Sequence, residues 1–398
     1  MTDRKIFELE FQSFMDSVNE GIQDKEGDFK KFLNINKSYR EIAAKIKGIL
    51  PSGFSKDSIL TKVSDPVLKD LKKKSIMAID GGQYQEEYKT AVISFSSAYL
   101  YKNERFFERY MNRFNVTTLD YNTLTISVIR QSMEYEIALK VLQQELEKDE
   151  KPDLVLFDGT FTFPDEALER YIQTKPEFKR YLVEFKKNVN AYFNLSIGNN
   201  IPSVAIIKDS KSNKFLTSFK TCLDTDYTNN FELADYFQDM SNLKSKNTIK
   251  SLLKDKNFLR FSELTFIDSL FDKYTNIRTK YVPIEKKYGI ANDVFSEKLK
   301  ENIIGFYARY GDENTPIFFI EMPAQFKNDI DKLTRILSSF STYSIIEGYP
   351  QPLYIAHKKA KMNHGKIFSR INYLKYKLSD IDPEGAKILL RRKFHRRI

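Results

Sequence analysis

The sequence predicts an α/β fold, a mixed sheet with flanking helices that is preceded by a helical segment and interrupted by a helical insertion. Three observations carry this reading. Short β-rich runs begin at Ser75, after a long stretch with helical periodicity. Helix-length stretches separate the later runs. Two of those runs, DLVLFDG (153–159) and PSVAIIKD (202–209), have wholly apolar centres, as strands buried on both faces do.

Taken in order, residues 5–50 read as helical, because Phe7, Phe11, Phe14, Met15 and Val18 recur at three- and four-residue spacing. Pro51-Ser52-Gly53 closes that stretch. SIMAID (75–80) reads as a strand that runs into a turn at Asp80-Gly81-Gly82. AVISFSSAYLY (91–101) and NVTTLDY (115–121) follow at hairpin-like spacing, and residues 122–148 form one helix. DLVLFDG, a helical stretch over about 164–193 and PSVAIIKD complete a β-β-β-α-β-α-β order. Three meandering strands followed by parallel strands with right-handed helical crossovers is the order of an RNase H-like core. Residues 211–275 are polar and helix-leaning and interrupt the strand pattern. NIIGFYARY (302–310) and TPIFFIE (315–321) read as a returning hairpin, with a helix at about 327–341 and the segment EGYPQPLYIAHKKA after it. The division expected is a helical segment over 1–70, an RNase H-like domain over 71–360 with an insertion at about 211–300, and a basic segment over 361–398.

Composition narrows the function. With 14 Gly and 12 Pro in 398 residues, collagen-like and linker-dominated chains are excluded. The single cysteine, Cys222, allows neither an internal disulfide nor a Cys-rich zinc site, which fits a reducing compartment. No run of 18 apolar residues and no apolar leader is present, so a cytoplasmic protein without a membrane anchor is expected. The net charge of +10 is unevenly placed. Residues 357–398 hold eight Lys and five Arg against three acidic residues, while the remaining residues balance. Such a basic block suits phosphate binding by counterion release, or else serves as a solvated tail.

Asp80 and Asp158 each end an apolar strand and precede a glycine. In an α/β sheet, ligands sit beyond the carboxyl ends of the strands. Two such carboxylates on adjacent parallel strands repel unless a cation lies between them, and hard oxygen ligands suit Mn2+ or Mg2+. Each Asp-Gly could instead cap a turn. On the helix over 122–148, Ile126, Met133, Ile137 and Val141 define the buried stripe, with Glu134 about 60° from Ile137 and Glu136 about 100° away on the other side. Glu134 is therefore the better metal ligand, with Arg130 one turn earlier as the alternative partner. Lys208 ends a strand where a cation would offset phosphate charge. His357 stands where apolar LYIA meets basic KKAK, a place for a metal ligand or a proton carrier.

In this order the segments AIDGG (78–82), the Arg130–Glu134 helix, LVLFDGT (154–160), AIIKDS (205–210) and GYPQPLYIAHKKA (348–360) resemble the NurA nuclease family. The resemblance spans about 78–360. It implies an RNase H-like fold and a Mn2+-dependent DNA nuclease with 5'-3' exonuclease and single-strand endonuclease activity. It also implies a homodimer that works with the hexameric ATPase HerA in DNA end resection, repair or phage defence. By position, Asp80, Glu134, Asp158 and His357 resemble the metal-binding and catalytic set, and Lys208 the strand-end lysine. The EYE sequence leaves Glu134 and Glu136 as alternatives. Two readings from other classes stay open. An actin-like ATPase or sugar kinase also places Asp-Gly turns at strand ends, but its phosphate loops need more glycine, and no GxxxxGK[ST] is present. A non-catalytic DNA-binding platform for a motor would bind DNA without cleaving it.

Overall fold

A computed structural model describes residues 40–48, 59–87, 92–103, 107–117, 123–161, 178–208, 215–217, 243–253, 263–284, 303–361 and 364–384, with a few single positions beside them. The expected apolar stripe Phe7–Val18, the first part of the helix expected over 164–193, Asp209 and the basic tail from 388 onward lie outside these residues.

A ten-stranded mixed sheet forms the middle layer. Its strands in chain order are β1 (Leu60–Lys62), β2 (Ile76–Glu87), β3 (Val92–Lys102), β4 (Phe107–Thr117), β5 (Leu154–Asp158), β6 (Ser203–Ile207), β7 (Ile277–Thr279), β8 (Val282–Pro283), β9 (Ile303–Arg309) and β10 (Ile317–Pro323). They lie in the order β1-β7-β9-β10-β6-β5-β2-β3-β4, with β8 beside β9. β2, β3 and β4 form the expected antiparallel meander. β5 and β6 add in parallel, and β10 and β9 return antiparallel beside β6. The helices are α1 (Leu68–Lys73), α2 (Thr123–Glu147), α3 (Phe178–Gly198), α4 (Leu243–Leu253), α5 (Glu263–Phe271), α6 (Ile330–Thr342), α7 (Gln351–Ala360) and α8 (His364–Ile381), with a 3-10 turn at Ala324–Asp329. None of the described helices is long and apolar enough to cross a membrane.

Alternation along the strands sends side chains to two cores. Ile79, Phe157, Ala205 and Phe319 join Met133 and Ile137 of α2 and Phe185 and Val189 of α3 on one face. Ala78, Leu156, Ile206 and Ile320 join Leu333 and Ile336 of α6 and Leu353 and Ala356 of α7 on the other. The result is an RNase H-like α/β architecture with helices on both faces of the sheet. Within residues 211–300, α4 and α5 are helical, whereas β7 and β8 join the sheet.

Two strands depart from the expected bounds. β2 does not turn at Asp80-Gly81-Gly82 but continues to Glu87, because β3 pairs with it from Met77↔Lys102 to Glu87↔Val92. Its parallel partner β5 stops earlier, at Ile79↔Phe157. β4 starts at Phe107 rather than near 115, in a stretch, FERYMNRF, whose charged residues hide a strand from a search for apolar runs. It is the last strand in the sheet order.

Candidate metal centre

Parallel pairing between β2 and β5 ends with Ile79 opposite Phe157, so the next residues, Asp80 and Asp158, stand side by side where the two strands part, each still paired on its other side. Both belong to the α7 face, in phase with Ala78 and Leu156. Asp80 is 5% exposed, and its Oδ1 accepts the backbone N–H of Gly81 at 2.7 Å. From α7 above them, His357 Nδ1 lies 2.8 Å from Asp80 Oδ2 and 3.1 Å from Asp158 Oδ2. Lys208, just past β6, donates to Asp158 Oδ2 at 2.7 Å.

The consecutive glycines of β2 admit a helix on each side. A Cβ at Gly82 would run into the carbonyl oxygen of Ala360 in the last turn of α7, and a Cβ at Gly81 would run into the carboxylate of Glu134. Ser97, opposite Gly82, donates its hydroxyl to the Ala360 carbonyl at 3.1 Å, which fixes the end of α7. His357 sits in that last turn beside Lys358 and Lys359, where a helix C-terminus favours positive charge.

Glu134 comes from the opposite face, on α2. It is 4% exposed, and Arg130 Nη1 donates to its Oε1 at 2.5 Å. Glu136 turns outward and pairs with Lys140 at 2.6 Å. Among the described residues, the ligand atoms that lie within 4.8 Å of one another are those of Asp80, Asp158 and His357. Glu134 is not in that group, yet it is near enough to feel both aspartates. Burial, and then the charges of Asp80 and Asp158, push its pKa up to about 8 against the pull of Arg130.

The aspartates divide. Burial raises Asp80 above the usual carboxylate range, helped by the charge of Asp158 and opposed by the hydrogen bond with His357. Asp158 also suffers desolvation, but the hydrogen bond with His357 and the ammonium of Lys208 hold it below that range. Hydrogen bonds to Asp158 and then Asp80 lift His357 to about 9. The imidazolium thus stands where a cation would neutralise two close carboxylates. Two hard oxygen donors and one imidazole fit Mn2+ and admit Mg2+.

The structure adds Tyr349, which no chemical signature marks in the sequence. Its buried ring supports the Lys208 ammonium 4.2 Å from the centroid. Burial, and then the charges of Asp158 and Asp80, raise its phenol well above the ordinary value. It follows Gly348, whose φ of +84° makes the turn between α6 and α7. A tyrosine in a turn has no periodicity to mark it, and only that neighbouring Gly-Tyr-Pro signals a specific backbone path.

The crystal structure of the NurA nuclease from Sulfolobus solfataricus resembles this chain with a TM-score of 0.55 at 15% identity, covering 92% of this chain and 97% of that one. A crystal structure of NurA with manganese resembles it with a TM-score of 0.48 at 13% identity, covering 90% and 98%. The first likeness bears on the fold alone. No curated protein matches the sequence. The family model for the NurA domain matches residues 74–362, most of the chain, and the chain belongs to the NurA family.

Proposed function

We propose that this protein is a divalent-metal-dependent DNA nuclease. The observation that carries this reading is the convergence of Asp80, Asp158 and His357, with ligand atoms within 4.8 Å, where two parallel strands part. Asp80 and Asp158 hold the metal from the sheet, His357 closes the set from α7, and Glu134 adds a carboxylate from α2 when Arg130 yields it. Bound there, Mn2+ supplies a Lewis acid for the phosphodiester and a lowered pKa for the attacking water. Lys208, one-third exposed and steadied on Tyr349, offsets charge that builds on the phosphate. His357, half-exposed, can exchange a proton with solvent at the lip of the site. The basic C-terminal segment grips the strand by its phosphates without reading sequence.

Family membership supports the finer reading: a homodimer that cleaves as a 5'-3' exonuclease and single-strand endonuclease, working in the cytoplasm with a HerA-type hexameric ATPase on DNA ends. End-labelled single- and double-stranded DNA, incubated with Mn2+, Mg2+ or EDTA, tests the core proposal. Cleavage in Mn2+ that EDTA abolishes is expected. Intact DNA under every metal condition would overturn it.

A further inference from the structure

Glu321, on β10, is fully buried, although a carboxylate resists burial unless its oxygens are hydrogen-bonded. Its Oε2 accepts two bonds, from the Thr160 hydroxyl at 2.7 Å and from the Phe161 backbone N–H at 2.7 Å. Thr160 and Phe161 are the second and third residues after Asp158. Between them and Asp158 stands Gly159, with φ at +137°, and its N–H donates to the Ile206 carbonyl at 3.0 Å. Neighbouring strands therefore hold three successive residues of the turn that leaves Asp158.

The register shows from which side the carboxylate comes. Glu321 pairs with Ala205, whose side chain lies in the α2/α3 core. Asp158 pairs with Ile206, which belongs to the α6/α7 core. Glu321 thus reaches the turn from the face opposite the candidate metal centre, beside the ring of Phe161 packed on Phe157 and Phe193. A glycine at positive φ leaves a chain free to swing. With Thr160 and Phe161 tied to β10, that swing is blocked, and Asp158 Oδ2 stays within reach of His357 and Lys208.

We infer that Glu321 is a positioning residue for Asp158, acting as a double hydrogen-bond acceptor on the Gly159–Phe161 turn. The inference rests on the reading of Asp158 as a metal ligand. What the turn needs is an acceptor oxygen rather than a charge, so the two isosteres separate. Glu321→Gln, whose carbonyl oxygen can accept both donors, should keep near-wild-type Mn2+ affinity. Glu321→Leu should weaken Mn2+ binding roughly 10- to 100-fold, the usual consequence of losing an outer partner of a metal ligand. Thr160→Val, which removes one donor, should fall between.

Mn2+ binding is read from the electron paramagnetic resonance signal of free aqueous Mn2+, well below each variant's melting temperature, with cleavage and metal-free DNA affinity measured in parallel. Metal affinity and cleavage falling together, with DNA affinity unchanged, supports the inference. Folded Glu321→Leu with wild-type Mn2+ affinity overturns it, as does Glu321→Gln impaired as severely as Glu321→Leu. If Glu321→Leu does not fold, unchanged Mn2+ affinity in Thr160→Val overturns it. Wild-type protein that binds no Mn2+ overturns the metal reading itself, and this inference with it. Wild-type binding beside unaffected variants overturns this inference alone.

Discussion

Asp80 and Asp158 share one imidazole nitrogen, and their mutual repulsion is what a bound cation would relieve. Asp158→Asn keeps the shape and removes one charge. Mn2+-dependent cleavage should then fall by more than the ~10- to 100-fold typical of outer-shell losses, because a ligand itself is gone. The melting temperature of the metal-free protein should hold or fall slightly, since Asp158 gives up its charge pairing with Lys208 and His357, partly offset by relief of the repulsion from Asp80. Near-wild-type cleavage in Mn2+ would mean that the metal lies elsewhere. The two glutamates of α2 offer a second comparison. Glu134→Gln should damage cleavage far more than Glu136→Gln, because Glu134 is buried against β2 and Glu136 is bound outward to Lys140. Equal losses would remove Glu134 from the site. These residues are legible in the sequence to different degrees. An aspartate that ends an apolar run before a glycine announces itself, and helical phase points Glu134 inward. The Arg130–Glu134 pair, which spacing offers as an alternative to metal binding, is present in the structure. Tyr349 escapes because its neighbours, Lys208 and Asp158, are far away in sequence and meet it only in the fold.

At the scale of elements, α7 carries His357 and is seated by a close approach of backbone to backbone. Gly82 allows it, because a Cβ there would meet the backbone carbonyl of Ala360, which ends α7 and is held by the Ser97 hydroxyl, so backbone rather than a flexible side chain would have to move. Gly82→Ala should therefore destabilise by about 1–3 kcal/mol, the usual range for overpacking, and should weaken cleavage by lifting His357 away from the aspartates. At Gly81 the obstacle is the flexible end of Glu134 with Arg130, so Gly81→Ala should cost less stability in urea unfolding. The reverse order would show that α7 adjusts more freely than α2. The same strand explains what sequence patterning reads and what it does not. The apolar centres of β5 and β6 are visible because both faces of those strands are covered. The course of β2 beyond Asp80 is not, since Gly81-Gly82 is turn-like in isolation and becomes strand only because β3 supplies eleven paired positions. β4 is hidden for the opposite reason, its polar residues suiting an edge better than a core.

For the molecule as a whole, charge and core are separated along the chain. Residues before His357 balance their charges and build the sheet with its two helical layers, and the excess of +10 follows in the last 42 residues. α8 starts four residues after α7 ends, so the basic segment leaves the fold directly beside the helix that carries His357. The stretch KILLRRKFHRRI (387–398) lies beyond Lys387 outside the described residues. Lys387, Arg391, Arg392, Lys393, Arg396 and Arg397 offer at most six phosphate contacts. Removing them should make log K for DNA fall less steeply with log[salt], by up to ~5 for a duplex at ~0.9 per contact. Six closely spaced side chains seldom all meet phosphates at once, so a drop of ~2–3 is the expected value. The interleaved Leu389, Leu390 and Phe394 suit docking on a partner or a second subunit instead. In that case truncation at 386 would change the oligomeric state or ATPase binding and leave the salt slope alone. Binding isotherms at several salt concentrations, with sedimentation of the same truncated protein, separate the two roles. An unchanged slope would remove the tail from the DNA path and leave the metal centre to account for DNA engagement without it.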